Sequence, residues 1–469
     1  MGSYCESLRG EGGVTTLLQG YGHYVAGAAL QPMPAHVQHH AKRALLDWMG
    51  ALIAGSDLPT ADLLRNAYAD ELVRGSAESA PCSIAGTTLK AKLRAAAFLN
   101  GTLSHLAEYD DIYRDGAYHP ASPTISPAFA LTEAHGLGRN ALLKAITAGY
   151  EVSTRIGSAV QPSHYKYFHT TGTAGVFGAA AACSALLQLN ETQASHAMAT
   201  AGTFASGLQQ AFRSDAMTKP MHGGHAAEVG LSAALAAAAG MTGTLDLLEG
   251  EAGFGAAMSD GANWADALNG LGTDFNITRM TFKNHGCCGH TFPAIDGAAA
   301  LQAKHGFTFG EIKTIRISGY RASSEVCHYR HPKSAFEAKF SLAYTVAAHL
   351  VLGRVREQAF KVASLTNRDI YSLEDKIMVT IDDSCTKVFP KKRSANVEIE
   401  LKNGEIFTIH QATRHGDPDD PLTDIELLDK FFELTESRIG RANSEALSKA
   451  ILGETDVPVL TLSTYWKLM

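Results

Sequence analysis

The chain has 469 residues, 45% hydrophobic and 19% charged, which describes a folded protein with a sizeable core and excludes a disordered one. Its formal net charge of −7 argues against nucleic acid as a partner, because nucleic-acid binders carry a basic excess. The seven cysteines (Cys5, Cys82, Cys183, Cys287, Cys288, Cys327 and Cys385) are scattered, odd in number and hold no C-x-x-C pair. We therefore expect no disulfide framework, no cysteine zinc site at Cys287-Cys288 and no iron–sulfur cluster, in a reducing, cytoplasmic setting.

From the start of the chain, MGSYCESLRG lacks the apolar run of a signal peptide and, with Glu6, fails the myristoylation pattern. Residues 14–265 read as mostly helical. HHAKRALLDWMGALIAG (39–55) spaces its apolar residues for a helix, and so do the stretches 89–111 and 126–160. GTAGVFGAAAACSALLQL, ETQASHAMATAGTFASGL and the stretch after His225 follow, separated by short Gly, Asn or Asp breaks, as between packed antiparallel helices. The small-residue run Leu231–Gly240 is too short to span a membrane, so no membrane partner is expected.

After about residue 275 the pattern changes. EIKTIRISGY (311–320) and ANVEIELKNGEIFTIHQA (395–412) alternate at period two, and Asn403-Gly404 predicts a hairpin turn within the second. Helical stretches 293–306 and 335–353 lie between them. From Thr423 the chain returns to helix. The fold class this predicts is mainly α with an α+β part. Residues 1–270 and 415–469 form one discontinuous helical domain, and 271–414 form a smaller inserted α+β domain. There is no internal repeat and no low-complexity linker.

Four clusters carry candidate chemistry. The first is His105-Leu106-Ala107-Glu108-Tyr109-Asp110-Asp111, followed by Tyr118-His119-Pro120. Three carboxylates at a helix C-terminus oppose the dipole and call for a cation or a job; the plain alternative is a solvated helix end. The second is His169, just ahead of a Thr/Gly turn and a small-residue helix. The third is DAMTKPMHGGHAAEVG (215–230), which spaces Lys219, His222 and His225 at i, i+3 beside a helix start. Cationic and proton-transferring groups there favour a small carboxylate or phosphate, because free backbone N–H groups and the dipole already attract an anion. Arg213, just upstream, would add a bidentate carboxylate contact. The fourth is Lys283-Asn284-His285-Gly286-Cys287-Cys288-Gly289-His290-Thr291, whose bland reading is a hinge between domains.

Together these segments resemble the MmgE/PrpD family. The matching residues are HLAEYDD…HP (105–120), FHTTGTAGVFGAAAA (168–182), TKPMHGGHAAEVG (218–230), LEGEAGFG (248–255), FKNHGCCGHTFPAID (282–296) and EAKFSLAY (337–344). The resemblance runs from about Pro32 to Thr435. It implies a helical domain built from both chain ends, a smaller lid domain, a homodimer, an active site in the interdomain cleft and no metal or organic cofactor. It implies as site residues the carboxylates of the EYDD segment (Glu108 and Asp111 foremost), His119, His169, Lys219 and Lys283, with His222 a neighbour. Arg213, from its place beside the third cluster, His222 and His285 of the fourth cluster are expected on the substrate. Two departures stand out. Members with lyase activity commonly have Asp where Glu108 stands and Thr where Ile112 stands, which weighs most against a cis-aconitate decarboxylase.

The chemistry this implies is proton removal next to a carboxylate. Lys219, Lys283 and Arg213 would offset the developing negative charge, and His119 or His169 would act as general base or acid. The leading expectation is a cofactor-independent hydro-lyase resembling 2-methylcitrate dehydratase and acting on a small di- or tricarboxylate. An epimerase of a dicarboxylate such as iminodisuccinate and a decarboxylase use the same residues. A non-catalytic carboxylate binder is the reading from another class.

Overall fold

A computed structural model of the chain describes residues 15–75, 79–214, 216–389 and 391–468. The opening decapeptide with Cys5, and Asp215 at the head of the third cluster, lie outside the described residues. The chain is mainly α with an α+β part, and it divides into two compact units. One comprises residues up to Met280 together with those from Asp424 onward; the other is Thr281–Thr423.

The seams fall at 280/281 and 423/424, not at 270/271 and 414/415. Side-chain bonds explain the shift. Asn276 Nδ2 donates to Thr154 Oγ1 (3.0 Å) and the Ile277 N–H to Glu151 Oε1 (3.3 Å), which holds the turn Asn276–Arg279 on the helical unit. At the other seam Asp417 accepts from Arg414 Nε (2.9 Å) and from Thr281 Oγ1 (2.6 Å), so the residues after 414 stay with the inserted unit.

In the helical unit, small residues let helices approach closely. The helix Met221–Ala238 packs among Leu93–Leu106, Ala121–Ala134, Gly175–Leu186 and Glu191–Gly202. A Cβ on Gly224 would stand 2.2 Å from Thr102 Oγ1 and 2.4 Å from the Phe98 carbonyl oxygen, so the position admits only glycine. Helices Leu17–Ala28 and Glu191–Gly202 open with reciprocal caps, Thr16 with Gln19 and Asn190 with Gln193. The helix Ala35–Ser56 is buried from Ala41 to its end. The returning helices Asp424–Ile439 and Arg441–Leu452 pack on it. One polar link between them is Lys430, itself buried, whose Nζ reaches Asp47 Oδ1 (2.6 Å) and the Tyr109 carbonyl oxygen (2.7 Å). A small antiparallel sheet, order β1-β3-β2, was not anticipated; it comprises β1 (Leu72–Arg74), β2 (Cys82–Ser83) and β3 (Leu89–Ala91).

The inserted unit is built on a four-stranded sheet of order β5-β4-β6-β7, with β4 Ile312–Gly319, β5 Ile377–Ile381, β6 Ala395–Leu401 and β7 Ile406–Gln411. β5 runs parallel to β4, and the other pairs are antiparallel. β6 alternates buried and half-buried residues, as its sequence does, and its buried face lies under the helix Phe292–His305. The turn closes at Asn403-Gly404, where Gly404 takes φ +93°. Cys82, Cys183, Cys287, Cys288, Cys327 and Cys385 are free thiols. Among the described residues no helix is long and apolar enough to cross a membrane.

Candidate active site

The helix Leu93–Leu106 ends just before the carboxylate segment, so Glu108, Asp110 and Asp111 lie on the turn that follows it. Glu108 takes φ +62°, a left-handed conformation that costs a non-glycine residue about 1–2 kcal/mol. This bend accompanies an ion pair between its carboxylate and Lys219 Nζ. Lys219 stands two residues before the helix Met221–Ala238, with its Nζ 5.3 Å from the centre of the Phe212 ring. The helix therefore starts early enough to carry both His222 and His225.

Asp111 is fully buried and turned inward. Its Oδ1 accepts the Ala121 N–H (3.1 Å), the first amide of the helix Ala121–Ala134, and its Oδ2 accepts the Tyr150 hydroxyl (2.8 Å). Burial, then the charge of Asp47, pushes the Asp111 carboxyl well above the usual carboxylate range, while the Tyr150 bond pulls the other way. Tyr118 donates to Ser153 Oγ (2.7 Å), behind the same segment.

Four imidazoles gather here. His105 is buried; its Nδ1 lies 2.6 Å from Asp110 Oδ2, and its ring stacks on His169 (5.6 Å between centroids, 19°). His119 meets the edge of His105 at 4.7 Å. Its Nδ1 lies 2.8 Å from the Asp111 carbonyl oxygen, and its backbone N–H donates to Thr171 Oγ1 (3.1 Å). His169 is held by its N–H to the Gly207 carbonyl (2.9 Å), and its Nδ1 lies 3.0 Å from His222 Nδ1. One of those two nitrogens must donate and the other accept, so the pair cannot be doubly protonated. Burial, followed by His105, Lys219 and other neighbours, holds His169 well below the usual imidazole range. Burial with His105, Lys219 and His225 holds His222 down to about 4.

The structure thus brings together Glu108, Asp111, His119, His169, Lys219 and His222. Arg213 is exposed at the end of the turn Gln209–Phe212. Lys283 and His285 belong to the inserted unit and are both buried. His285 Nε2 is tied to Asp296 Oδ1 (2.8 Å), whose other oxygen accepts the His415 N–H (2.8 Å). That arrangement pins the 282–296 segment to residue 415. Sequence reasoning gave His105 no role, because nothing in its spacing says that residue i will meet residue i+5 once the helix has ended.

His105, Asp110 and His119 each place one ligand atom within 4.8 Å of the others, a grouping a divalent cation can bridge, and this was likewise not anticipated.

A mainly helical chain with an inserted α+β unit, holding imidazoles against carboxylates beside a lysine, can transfer protons next to a bound negative charge. The chain belongs to the MmgE/PrpD family: residues 20–267 match its N-terminal domain and 285–453 its C-terminal domain. It is 27% identical over 456 residues to a protein of Aspergillus oryzae named cis-aconitate decarboxylase-like protein oryM, covering 92% of this chain and 93% of that one. It is 27% identical to the cis-aconitate decarboxylase of Homo sapiens over 379 residues (77% and 76% of the two chains), and 28% identical to that of Mus musculus over 370 residues (75% and 74%).

Proposed function

We propose that the protein is a cofactor-independent lyase of small polycarboxylates, with loss of water from a hydroxy-polycarboxylate as its reaction. The observation that carries this reading is the pair His119 and His169, ring centroids 6.4 Å apart, on the unit that also carries Lys219. Elimination of water needs both a base and an acid, and two imidazoles supply them. One takes the proton from the carbon next to a carboxylate. The C–O bond to the hydroxyl breaks and the other ring protonates the departing oxygen, giving alkene and water. That ring must enter as an imidazolium, which the charge of a bound polycarboxylate favours against the burial that holds His169 down. Exchange with solvent resets both rings. Lys219 offsets charge on the enediolate. Lys283 carries a matching expectation from the family resemblance alone.

Decarboxylation is the second reading, favoured by the names of the three relatives. There CO2 leaves, a cation holds the carbanion, and one imidazole reprotonates it. Against it stand Glu108 and Ile112, the two departures named above.

The experiment is a proton NMR time course of chelator-treated protein with 2-methylcitrate, citrate, cis-aconitate and iminodisuccinate in deuterated water. An alkene formed with loss of water supports the proposal. Release of CO2 from cis-aconitate moves the assignment to decarboxylase. Deuterium uptake without elimination moves it to epimerase, and binding without turnover or exchange moves it to a carboxylate binder. We carry a homodimer in the cytoplasm, with no nucleic-acid or membrane partner, as part of the same proposal; light scattering after size exclusion tests the dimer.

A further inference from the structure

Asp110 and His105 sit one step behind the rings that the proposed reaction uses. One oxygen of Asp110, Oδ2, lies 2.6 Å from His105 Nδ1 and 3.4 Å from His119 Nδ1. Asp110 Oδ2 faces two imidazole nitrogens at once, and the arrangement that satisfies both has each ring donating to the carboxylate, so we assign Asp110 as the acceptor. The Asp111 carbonyl, 2.8 Å from His119 Nδ1, is also an acceptor only. Both imidazoles therefore carry a proton on Nδ1, and on each neutral ring the lone pair is on Nε2.

His105 also fills the space between His119 and His169, touching the first edge-on at 4.7 Å and stacking on the second at 5.6 Å. Its Nε2 is buried with no hydrogen-bond partner among the described residues, which costs about 1–3 kcal/mol. An apolar ring would fill the same volume without that cost. What an apolar ring cannot do is donate to Asp110.

We propose that Asp110 and His105 are positioning residues: Asp110 is the counter-charge shared by two imidazoles that lets His119 accept a proton on Nε2, and His105 holds that carboxylate and spaces His119 from His169. The catalytic part rests on the lyase reading, whereas the hydrogen-bond part does not. An imidazolium forming on His119 gains from the carboxylate beside Nδ1 as the base of a Ser-His-Asp triad gains from its aspartate.

Two measurements on the full chain test this. In 15N-histidine-labelled protein at neutral pH, we expect His105 and His119 in the Nδ1–H form. The His105 Nδ1 proton should lie far downfield, as a short charge-assisted bond requires, and it should vanish in Asp110→Asn. Finding either ring as the Nε2–H tautomer, or a His105 signal unchanged in Asp110→Asn, overturns the pair. So does removal of the signals by one equivalent of Zn2+ that also raises activity, since the three groups would then be ligands.

On the substrate that the wild type turns over, Asp110→Asn should lower kcat by about 10²–10⁴-fold with KM within about threefold. A kcat within about twofold of wild type overturns the positioning role. If Asp110→Asn does not fold, His105→Asn replaces it. Its amide can still donate to Asp110, so it should keep most of the kcat that His105→Leu loses, and equal loss in both overturns the proposal. If wild type turns over nothing in the panel, the lyase reading fails, and the NMR result alone decides the pair.

Discussion

Lys219 is bound to Glu108 through an ion pair that is only slightly exposed, and Glu108 reaches it from a left-handed backbone. An arriving carboxylate must compete with Glu108 for that ammonium, so the pair marks where negative charge is welcome. If Lys219 stabilises charge only in the transition state, Lys219→Ala should lower kcat at least ~100-fold. The same loss is expected of His169→Gln if its ring moves the proton. Initial-rate kinetics on the responding substrate checks both, and near-normal turnover in the two variants would refute these roles. At this scale the sequence was legible where chemistry is bunched along the chain: Glu108, Asp111, His119, His169, Lys219 and His222 do converge. His105 heads the first cluster, but its role was not legible, because the helix it belongs to ends at Leu106 and its partner Asp110 lies beyond it.

Between helices, the close contact of Met221–Ala238 with Leu93–Leu106 depends on Gly224 as much as on any apolar side chain. Gly224→Ala puts a methyl against Thr102 and the Phe98 carbonyl, and we expect a loss of about 1–3 kcal/mol. Gly404→Ala places a Cβ on a φ of +93° in the hairpin and should cost about 1–2 kcal/mol. Urea unfolding curves check both, and only the first change should also reduce turnover, because it alone moves the helix that carries His222. Elements were legible wherever their period was sustained, as in β6 with its strict alternation and in the helix Ala35–Ser56. The strand β5 was missed because four of its five residues are partly or largely exposed, so no buried stripe marks it. The sheet β1-β3-β2 was missed because its strands span at most three residues. The inserted unit's seams were placed too early because helix period cannot register a tie such as that of Asn276 to Thr154.

For the molecule as a whole, its buried imidazoles are the part of its stability that acid attacks. His40, His222 and His349 are each held down to about 4, and His290 to about 3, first by burial. An unfolded imidazole takes a proton near 6.5, whereas these folded ones resist it until lower pH. At these four sites the unfolded state therefore binds more protons in that window, so the stability they contribute is full above pH 6.5 and is lost as pH falls toward 4 and below; the buried carboxyls of Glu151, pushed up to about 7, and Asp111 act the other way. Thermal melts at constant ionic strength should show Tm falling less between pH 6.5 and 4.5 in His349→Gln than in the wild type; an equal fall in both would contradict the buried-imidazole account. The join between the chain's early and late helices is tested by Lys430→Met, which leaves Asp47 buried without its ammonium and should cost about 3–5 kcal/mol by urea titration. Lys430 also holds the carbonyl of Tyr109, the residue directly before Asp110, from 321 positions further along the chain. At roughly 5–20 residues per second, a ribosome takes about 15–65 s to cover that distance. Throughout that interval Asp47 and the carboxylate turn are made but unsupported, and the proton-transfer site cannot reach its final form. The proton-transfer site therefore waits on Lys430: the early helices are made well before the residue that ties them.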